Sequence, residues 1–253
     1  MDPARAEPAP ISLTGRLRIA IRLAMMLALL AICIALYYLR RLAPGPNPVP
    51  RIFLGGIAWL AGVEVSVAGT RHRGGALFLA NHVSWIDIPA VAGATGSAFV
   101  AHDGLAAFPL LRWLCEMNDT VFVARHDRAS VARQVAQVRE AIRDTGALTI
   151  FPEGTTSDGT SLLPIKSSLL SALDPLPQGV AVQPLWLDYG PEVTDLAWIG
   201  DEPGLDNFLR ILGRARPVTL TLHFLPPLAG DALASRKTIA AATSAAILQA
   251  MQR

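Results

Sequence analysis

The sequence predicts an α/β fold, with a mixed central sheet flanked by helices and an N-terminal hydrophobic helical membrane anchor. Two observations lead to this prediction. An uncharged apolar segment of helical length lies near the N-terminus, and beyond residue 62 short β-like runs alternate with helical ones. Of the 253 residues, 52% are apolar and only 17% are charged. This composition excludes a disordered chain and a highly charged nucleic-acid binder, so no nucleic-acid partner is expected.

The uncharged segment runs from Leu23 to Leu39 and has arginines on both sides. As a helix it spans about 26 Å, near the short end of what crosses the hydrocarbon core of a bilayer. A cleaved signal peptide is the alternative, but no A-x-A site follows the segment. A second apolar stretch, Ile52–Val63, is either a core helix or the second arm of a helical pair in one leaflet. We expect an anchoring unit over residues 1–62 and a second domain over residues 63–253.

The second domain contains alternating strand and helix signals. β-branched residues recur in Ser130–Asp144 at helical spacing, and Gly146 is placed to end that helix. A C-terminal helix is predicted over Lys237–Gln252, whereas residues 190–216, rich in Gly, Pro and acids, are predicted as an irregular insertion. Seven short apolar runs are strand candidates: Val63–Ala68, Ala76–Ala80, Ser97–Ala101, Thr120–Ala124, Ala147–Phe151, Val180–Asp188 and Val218–Phe224.

The segment NHVSWID directly follows the apolar run ALFLA, which places His82 and Asp87 at the carboxyl end of a strand. In one continuous helix the two side chains would lie about 140° apart, so they meet only if the chain turns between them. Pro89 and the capping preference of aspartate predict that a helix begins at Asp87. A carboxylate that orients an imidazole is what a general base needs. The alternative is a structural histidine beside an aspartate cap.

A second loop, FPEGTTSDG, also follows an apolar run. Its proline and glycine predict a sharp turn, with Glu153 at the apex and the backbone N–H groups of Gly154 and Thr155 exposed. Arg125 and Lys166 follow hydrophobic runs as well, and each is either a phosphate ligand or a solvated charge. The sequence has no G-x-S-x-G elbow, P-loop or zinc-ligand motif, and its two cysteines have no metal-ligand spacing. No metal is therefore expected.

In their order along the chain, NH-x4-D, strand-Phe-x-x-Arg, FPEGT, P-x-K and Val-Gln-Pro resemble the four-block signature of the glycerolipid acyltransferases typified by lysophosphatidate acyltransferase. The resemblance covers about residues 63 to 190. It implies an enzyme that moves a fatty acyl group from an acyl thioester to the hydroxyl of a lysolipid. The implied co-substrate is acyl-CoA or acyl carrier protein, with no cofactor. The implied location is the inner (cytoplasmic) membrane, with the catalytic domain on the cytosolic face and membrane lipids as partners.

By this resemblance, His82 and Asp87 form the catalytic pair that deprotonates the acceptor hydroxyl. The second block supplies an arginine implicated in holding the phosphate of the acceptor, the third shapes the acceptor site, and the fourth lines the acyl-donor side. The resemblance assigns substrate-binding positions to Phe122, Arg125, Glu153, Gly154, Thr155, Lys166 and Pro184.

Departures from the family pattern leave the acceptor open. The third block usually reads EGTRS, but Thr156 stands at the position of the arginine, which weakens the case for a phosphate-bearing acceptor. A cation that often follows the third strand is replaced by His102, followed by Asp103, and we interpret this pair as non-catalytic. EGTTSDG with NHVSWID is also similar to bacterial acyltransferases that esterify lyso-ornithine lipid. Phospholipid biosynthesis with lysophosphatidate is expected, with lyso-ornithine lipid as the alternative acceptor. A non-catalytic membrane lipid carrier and a thioesterase are the alternatives of other classes.

Overall fold

The computed structural model of the protein describes residues 11–102, 109–123, 131–173 and 176–252. The helices in these ranges are α1 (Leu13–Arg40), α2 (Val49–Leu60), α3 (Asp87–Thr95), α4 (Pro109–Met117), α5 (Val131–Thr145), α6 (Val193–Leu196), α7 (Gly204–Gly213) and α8 (Arg236–Met251). The strands are β1 (Val63–Gly69), β2 (Ala76–Ala80), β3 (Ala98–His102), β4 (Val121–Val123), β5 (Ala147–Ile150), β6 (Ala181–Asp188) and β7 (Val218–Phe224).

The strands form one sheet in the order β1-β7-β6-β2-β5-β3-β4. The five strands from β6 to β4 are parallel, β1 is parallel to β7, and β7 is antiparallel to β6. The prediction of a mixed α/β sheet is therefore confirmed. Each of the seven strand candidates corresponds to one strand, and the helices predicted after residue 130 and at the C-terminus correspond to α5 and α8. Gly146 ends α5 in a left-handed conformation, as predicted.

Helices cover both faces of the sheet. The side chains of β2 alternate between two apolar cores. Phe78 belongs to the core that contains residues of α1, α2, α3 and α7, whereas Leu79 belongs to the core that contains residues of α5, α8 and the 3-10 helix Ser167–Leu173. Because both of its faces are covered, all five residues of β2 are buried. The carboxyl end of this central strand is thus held rigidly by both layers.

The two N-terminal helices form an antiparallel pair that lies against the domain. Leu29 of α1 contacts Gly56 of α2, where a Cβ would lie 2.6 Å from the leucine Cδ2. On its other side α2 crosses α3 at Gly55, where a Cβ would lie 3.2 Å from the Cα of Gly93. These glycines let the backbones approach closely. α1 begins ten residues before the predicted apolar segment because the Ser12 hydroxyl accepts a hydrogen bond from a first-turn N–H.

The outer face of the helical pair is apolar and exposed. Within the described residues, α1 is the one helix long and apolar enough to cross a membrane. Near its N-terminus, Arg18 and Arg22 donate to the carbonyls of Gly213 and Leu212, at 2.6 and 2.8 Å, and so attach α1 to the C-terminal end of α7. Its exposed large hydrophobic side chains are Leu13, Leu17, Ile21, Met25, Leu27, Ile32, Leu36, Tyr38 and Leu39.

The prediction of an irregular insertion over residues 190–216 is wrong. This segment contains α6 and α7, and Ile211 and Leu212 of α7 are fully buried against the sheet. The polar residues that suggested a loop pair with one another instead: Glu202 accepts from Arg210 at 2.9 Å. The apolar positions of α7 recur at helical spacing, and this was the signal that the polar composition obscured.

Candidate active site

Three neighbouring strands, β6, β2 and β5, end side by side at one edge of the sheet. The chain leaves β6 at Tyr189, β2 at His82 and β5 at the turn that contains Glu153. Parallel strands bring their carboxyl ends together, so residues about 70 and 100 positions apart in sequence become neighbours.

The two residues of the NH-x4-D motif meet. His82 Nδ1 and Asp87 Oδ2 are 2.7 Å apart, because the chain turns between β2 and the first residue of α3. The aspartate does not cap the N-terminus of α3, whose N-cap is Ile86. Its Oδ2 instead accepts from the backbone N–H groups of Val83 and Ser84, at 2.7 and 3.0 Å. The carboxylate therefore ties together the loop that carries the histidine.

Asp87 is completely buried, and its other oxygen, Oδ1, accepts from the hydroxyl of Tyr189. Burial and the negative charge of Asp87 raise the pKa of this hydroxyl well above its usual value, so it remains a donor. With N–H and O–H donors on both oxygens, the carboxylate acts as an acceptor toward His82 Nδ1. The histidine then carries its proton on Nδ1 and leaves Nε2 as the basic nitrogen.

The imidazole of His82 stacks on Phe151, with ring centroids 4.2 Å apart and planes 17° from parallel. Its side chain keeps 17% of its surface exposed, so a substrate can reach it. Its backbone carbonyl accepts from the N–H of Ser157 at 2.7 Å. The histidine is thus held through its ring, its carbonyl and its Nδ1.

Glu153 lies on the turn after β5, and its side chain is directed into the protein. Its side chain is 1% exposed, and its oxygens accept from the backbone N–H groups of His82, at 2.7 Å, and Leu163, at 2.9 Å. The buried N–H groups of two loops need an acceptor, and the carboxylate supplies it. Glu153 therefore holds the backbone of the loop that carries His82.

Burial of Glu153 makes the stability of the fold depend on pH. Desolvation raises the pKa of its carboxyl to about 7 from an ordinary 4.5, although the two N–H donors lower it. The folded state therefore holds this proton more tightly than the unfolded state. The carboxyl favours folding most below about pH 4.5, and this contribution is lost as the pH rises to about 7.

We expect Glu153→Gln to remove this dependence, because an amide does not titrate. From about pH 4.5 to pH 8, the free energy of unfolding of the native protein should fall by about 3 kcal/mol relative to that of the variant. Denaturant unfolding at both pH values measures the difference. Glu64→Gln, on the exposed edge of β1, is the control. Parallel pH curves for the native protein and Glu153→Gln would contradict the raised pKa.

The rest of the FPEGT turn is only partly as predicted. The N–H of Gly154 donates to the carbonyl of Phe151 at 3.1 Å and closes the turn. The prediction that this N–H group is exposed is therefore wrong. Thr155 is exposed. Lys166 is exposed too, and its Nζ lies beside the turn, 3.3 Å from where a Cβ of Gly154 would be. The turn and the ammonium group thus share one surface.

Other predicted residues lie farther from the histidine. Phe122 is on the edge strand β4, three strands from β2 and hence about 14 Å away across the sheet. Pro184 is buried within β6, in register with Leu79 of β2. Arg125 and Asp103 lie outside the described residues, as does the side chain of His102.

Sequence reasoning missed the residues that support the loop from the segment after β6. The N–H of Trp198 donates to the carbonyl of Val83 at 2.9 Å, and its own carbonyl accepts from the hydroxyl of Thr156. The buried amide of Asn207 on α7 accepts from Ser84 at 3.3 Å. Thr156, which stands where the family has arginine, therefore points toward this segment. Tyr189 was missed as well, although its place directly after a strand end was a usable signal.

No group of three or more His, Cys, Asp and Glu side chains in the described part of the chain is arranged to hold a metal ion. The histidine and aspartate form a pair, not a ligand set. The chemistry available at this edge of the sheet is therefore proton transfer at the partly exposed imidazole of His82, which a buried carboxylate orients.

Comparison with known proteins identifies an enzyme that transfers acyl groups. The Acyltransferase family model matches residues 62–188. The lyso-ornithine lipid O-acyltransferase of Rhodobacter capsulatus is 32% identical over 96% of this chain and 93% of its own length. The chain therefore belongs to the Acyltransferase family, which confirms the resemblance seen in the sequence.

Two other comparisons bear on the fold and the relatives. The 1-acyl-sn-glycerol-3-phosphate acyltransferase of Neisseria gonorrhoeae is 36% identical over 45% of this chain and 45% of its own length. The crystal structure of the 1-acyl-sn-glycerophosphate (LPA) acyltransferase PlsC from Thermotoga maritima superposes with a TM-score of 0.58. The superposition covers 93% of this chain and 98% of the PlsC chain, at 20% sequence identity. The α/β fold is thus one that another acyltransferase adopts.

Proposed function

We propose that the protein is a membrane-bound O-acyltransferase that transfers a fatty acyl group from an acyl thioester to the hydroxyl of a lysolipid. The observation that carries this proposal is the 2.7 Å contact between His82 Nδ1 and the buried Asp87, which leaves Nε2 as the base in a partly exposed ring. Family membership supplies the class of reaction. Acyl-CoA and acyl carrier protein are the two candidate donors, and the acyl transfer needs no cofactor.

In the proposed reaction, His82 Nε2 takes the proton of the acceptor hydroxyl while the oxygen attacks the carbonyl carbon of the thioester. Asp87 stabilises the imidazolium that forms. The C–S bond then breaks, the thiolate leaves, and the imidazolium returns the proton to the sulfur. An ester and a free thiol result, and no acyl-enzyme is formed. Glu153 takes part by holding the His82 backbone and not by touching substrate.

We propose lyso-ornithine lipid as the acceptor. Relatives with that activity, from Rhodobacter capsulatus and Pseudomonas aeruginosa, align over 96% and 87% of this chain. At the position where phosphate-acceptor enzymes usually carry an arginine, Thr156 instead bonds to the carbonyl of Trp198. An acceptor without a phosphate does not need an arginine at this position. Lys166, beside the turn, is a candidate partner for the carboxylate of the head group.

Lysophosphatidate is the second candidate acceptor. The shorter alignment with the Neisseria gonorrhoeae enzyme, at 36% identity, favours it. Lys166 is a possible phosphate ligand as well. The two acceptors differ in the charge of their head groups, and a direct comparison of rates separates them.

We propose that residues 1–62 anchor the protein in one leaflet of the inner membrane and that residues 63–253 work on its cytosolic face. The first half of α1 is attached to α7 through Arg18 and Arg22, and Leu29 packs against α2, so a helix that crossed the bilayer would carry polar parts of the domain with it. The exposed apolar face of α1 would lie in the lipid instead. Spin labels at Ile32 and Ile52 should report depths in the same leaflet, and a label in the opposite leaflet would contradict this arrangement.

The test of function uses the purified full-length protein in vesicles, with acyl-CoA or acyl carrier protein thioester as donor. Lyso-ornithine lipid, lysophosphatidate and no acceptor are compared, and both thiol release and the esterified lipid are measured. We expect thiol release only with acceptor, and faster with lyso-ornithine lipid. Faster transfer to lysophosphatidate would make lysophosphatidate, and not lyso-ornithine lipid, the preferred acceptor. Thiol release without acceptor would indicate a thioesterase, and no release under any condition would indicate a lipid carrier.

A further inference from the structure

Tyr189 is the first residue after β6, and it is buried against Asp87. The end of β6 is fixed to the end of β2 by two hydrogen bonds: the side chain of Asn81 donates to the carbonyl of Leu187 at 3.1 Å and accepts from its N–H at 2.7 Å. This pairing sets the position of the tyrosine relative to His82. The phenol hydroxyl donates to the carboxylate of Asp87.

The two oxygens of Asp87 are used unequally. Oδ2 accepts from His82 Nδ1 and from two backbone N–H groups, whereas the Tyr189 hydroxyl is the donor to Oδ1 in the part of the chain that the structure describes. Because Asp87 is inaccessible to solvent, water cannot replace that donor. Tyr189 therefore helps to fix the rotation of the carboxylate and reduces the charge that remains on Oδ2.

We propose that Tyr189 is a positioning residue for the acyl transfer, acting through Asp87 on the orientation and basicity of His82. The inference rests on the proposed function. A tyrosine that only filled the core could satisfy its hydroxyl on any carbonyl. Here its acceptor is the carboxylate that orients the base, so its donation withdraws charge from the atom that faces His82 Nδ1.

The proposal predicts a change in the pH dependence of the reaction. Without the phenol donor, Oδ2 becomes a stronger acceptor and stabilises the protonated imidazole more, so a higher pH is needed to generate the base. Within the described ranges, Asp87 contacts the imidazole directly, Glu153 interacts with it electrostatically, and Tyr189 reaches it only through Asp87. Glu153 is present in both the native protein and the variant that lacks the Tyr189 hydroxyl. The difference between their pH profiles therefore reports the effect of that hydroxyl.

The test is Tyr189→Phe, which keeps the ring and removes the hydroxyl. At neutral pH we expect kcat to fall about 10-fold, with KM for both substrates changed less than about twofold. The acidic limb of the kcat/KM profile should move up by about half a pH unit. Thr243→Val removes a buried hydroxyl on α8 that has no hydrogen-bond partner in the described structure, and it should change none of these values.

A spectroscopic measurement keeps the inference separate from the proposed function. The downfield proton resonance of His82 Nδ1–H, assigned by its absence in His82→Ala, should move further downfield in Tyr189→Phe whether or not the protein transfers acyl groups. If Tyr189→Phe does not fold, 3-fluorotyrosine at position 189 keeps the ring and strengthens the donor. The resonance and the acidic limb should then shift in the opposite direction. A loss of stability alone, with the resonance, the pH profile and kcat unchanged, would overturn the proposal.

Discussion

Replacement of His82 by alanine is expected to lower kcat by about 10²- to 10⁴-fold and to leave the protein folded. The activity falls because the acceptor hydroxyl loses the base that removes its proton. The fold survives because the buried Asp87 keeps three donors, the N–H groups of Val83 and Ser84 and the Tyr189 hydroxyl. Single-turnover rates measure the loss, and thermal unfolding checks the fold.

The matched control is His72→Ala. This half-buried histidine precedes β2, at the opposite edge of the sheet, and its backbone N–H bonds to Gln183. An alanine here retains the backbone bond, so we expect activity close to that of the native protein. Turnover at a near-native rate in His82→Ala would remove His82 from the reaction and would leave the general-base mechanism without support.

Replacement of Asp87 by asparagine is expected to lower kcat by about 10²-fold while KM changes by less than about threefold. The N–H groups of Val83 and Ser84 require an acceptor at the position of Oδ2, so the amide oxygen takes that place and still accepts from His82 Nδ1. The geometry is kept but the negative charge is lost. The imidazolium formed as the hydroxyl loses its proton is then less stable, which raises the barrier by about 2.7 kcal/mol.

Steady-state kinetics for donor and acceptor measure this separation of kcat from KM. Asp206→Asn, at an exposed position in the first turn of α7, removes the same charge away from the site and should leave both constants unchanged. If Asp87→Asn instead raised KM alone, the carboxylate would be acting on substrate binding, and its pairing with His82 would have no catalytic role.

The sequence predicted elements whose signal is local. Helical spacing in α5, the continuous apolar run of β2 and Gly146 as a stop signal each depend on residues a few positions apart, and the structure agrees with all three. The pairing of His82 with Asp87 was predictable for the same reason, since five residues and one turn separate them. α7 was missed because charged residues that pair within the fold gave the segment the composition of a loop.

The supporting contacts of the site are not local. Glu153 lies 71 residues from His82, Tyr189 lies 102 from Asp87, and Asn207 lies 123 from Ser84. Which of them meet depends on the order of the strands in the sheet, and no short pattern encodes that order. The sequence could therefore place a glutamate on a turn without saying that its carboxylate faces inward.

By itself, the sequence determined the α/β class, the apolar N-terminal helices, the family and the histidine–aspartate pair, because periodicity and short motifs act over a few residues. The tertiary structure alone decided that Glu153 holds the His82 backbone, that Tyr189 donates to Asp87 and that α7 supports the loop between β2 and α3. Those roles follow from neighbouring parallel strands, which bring the distant ends of β6, β2 and β5 to one edge of the sheet.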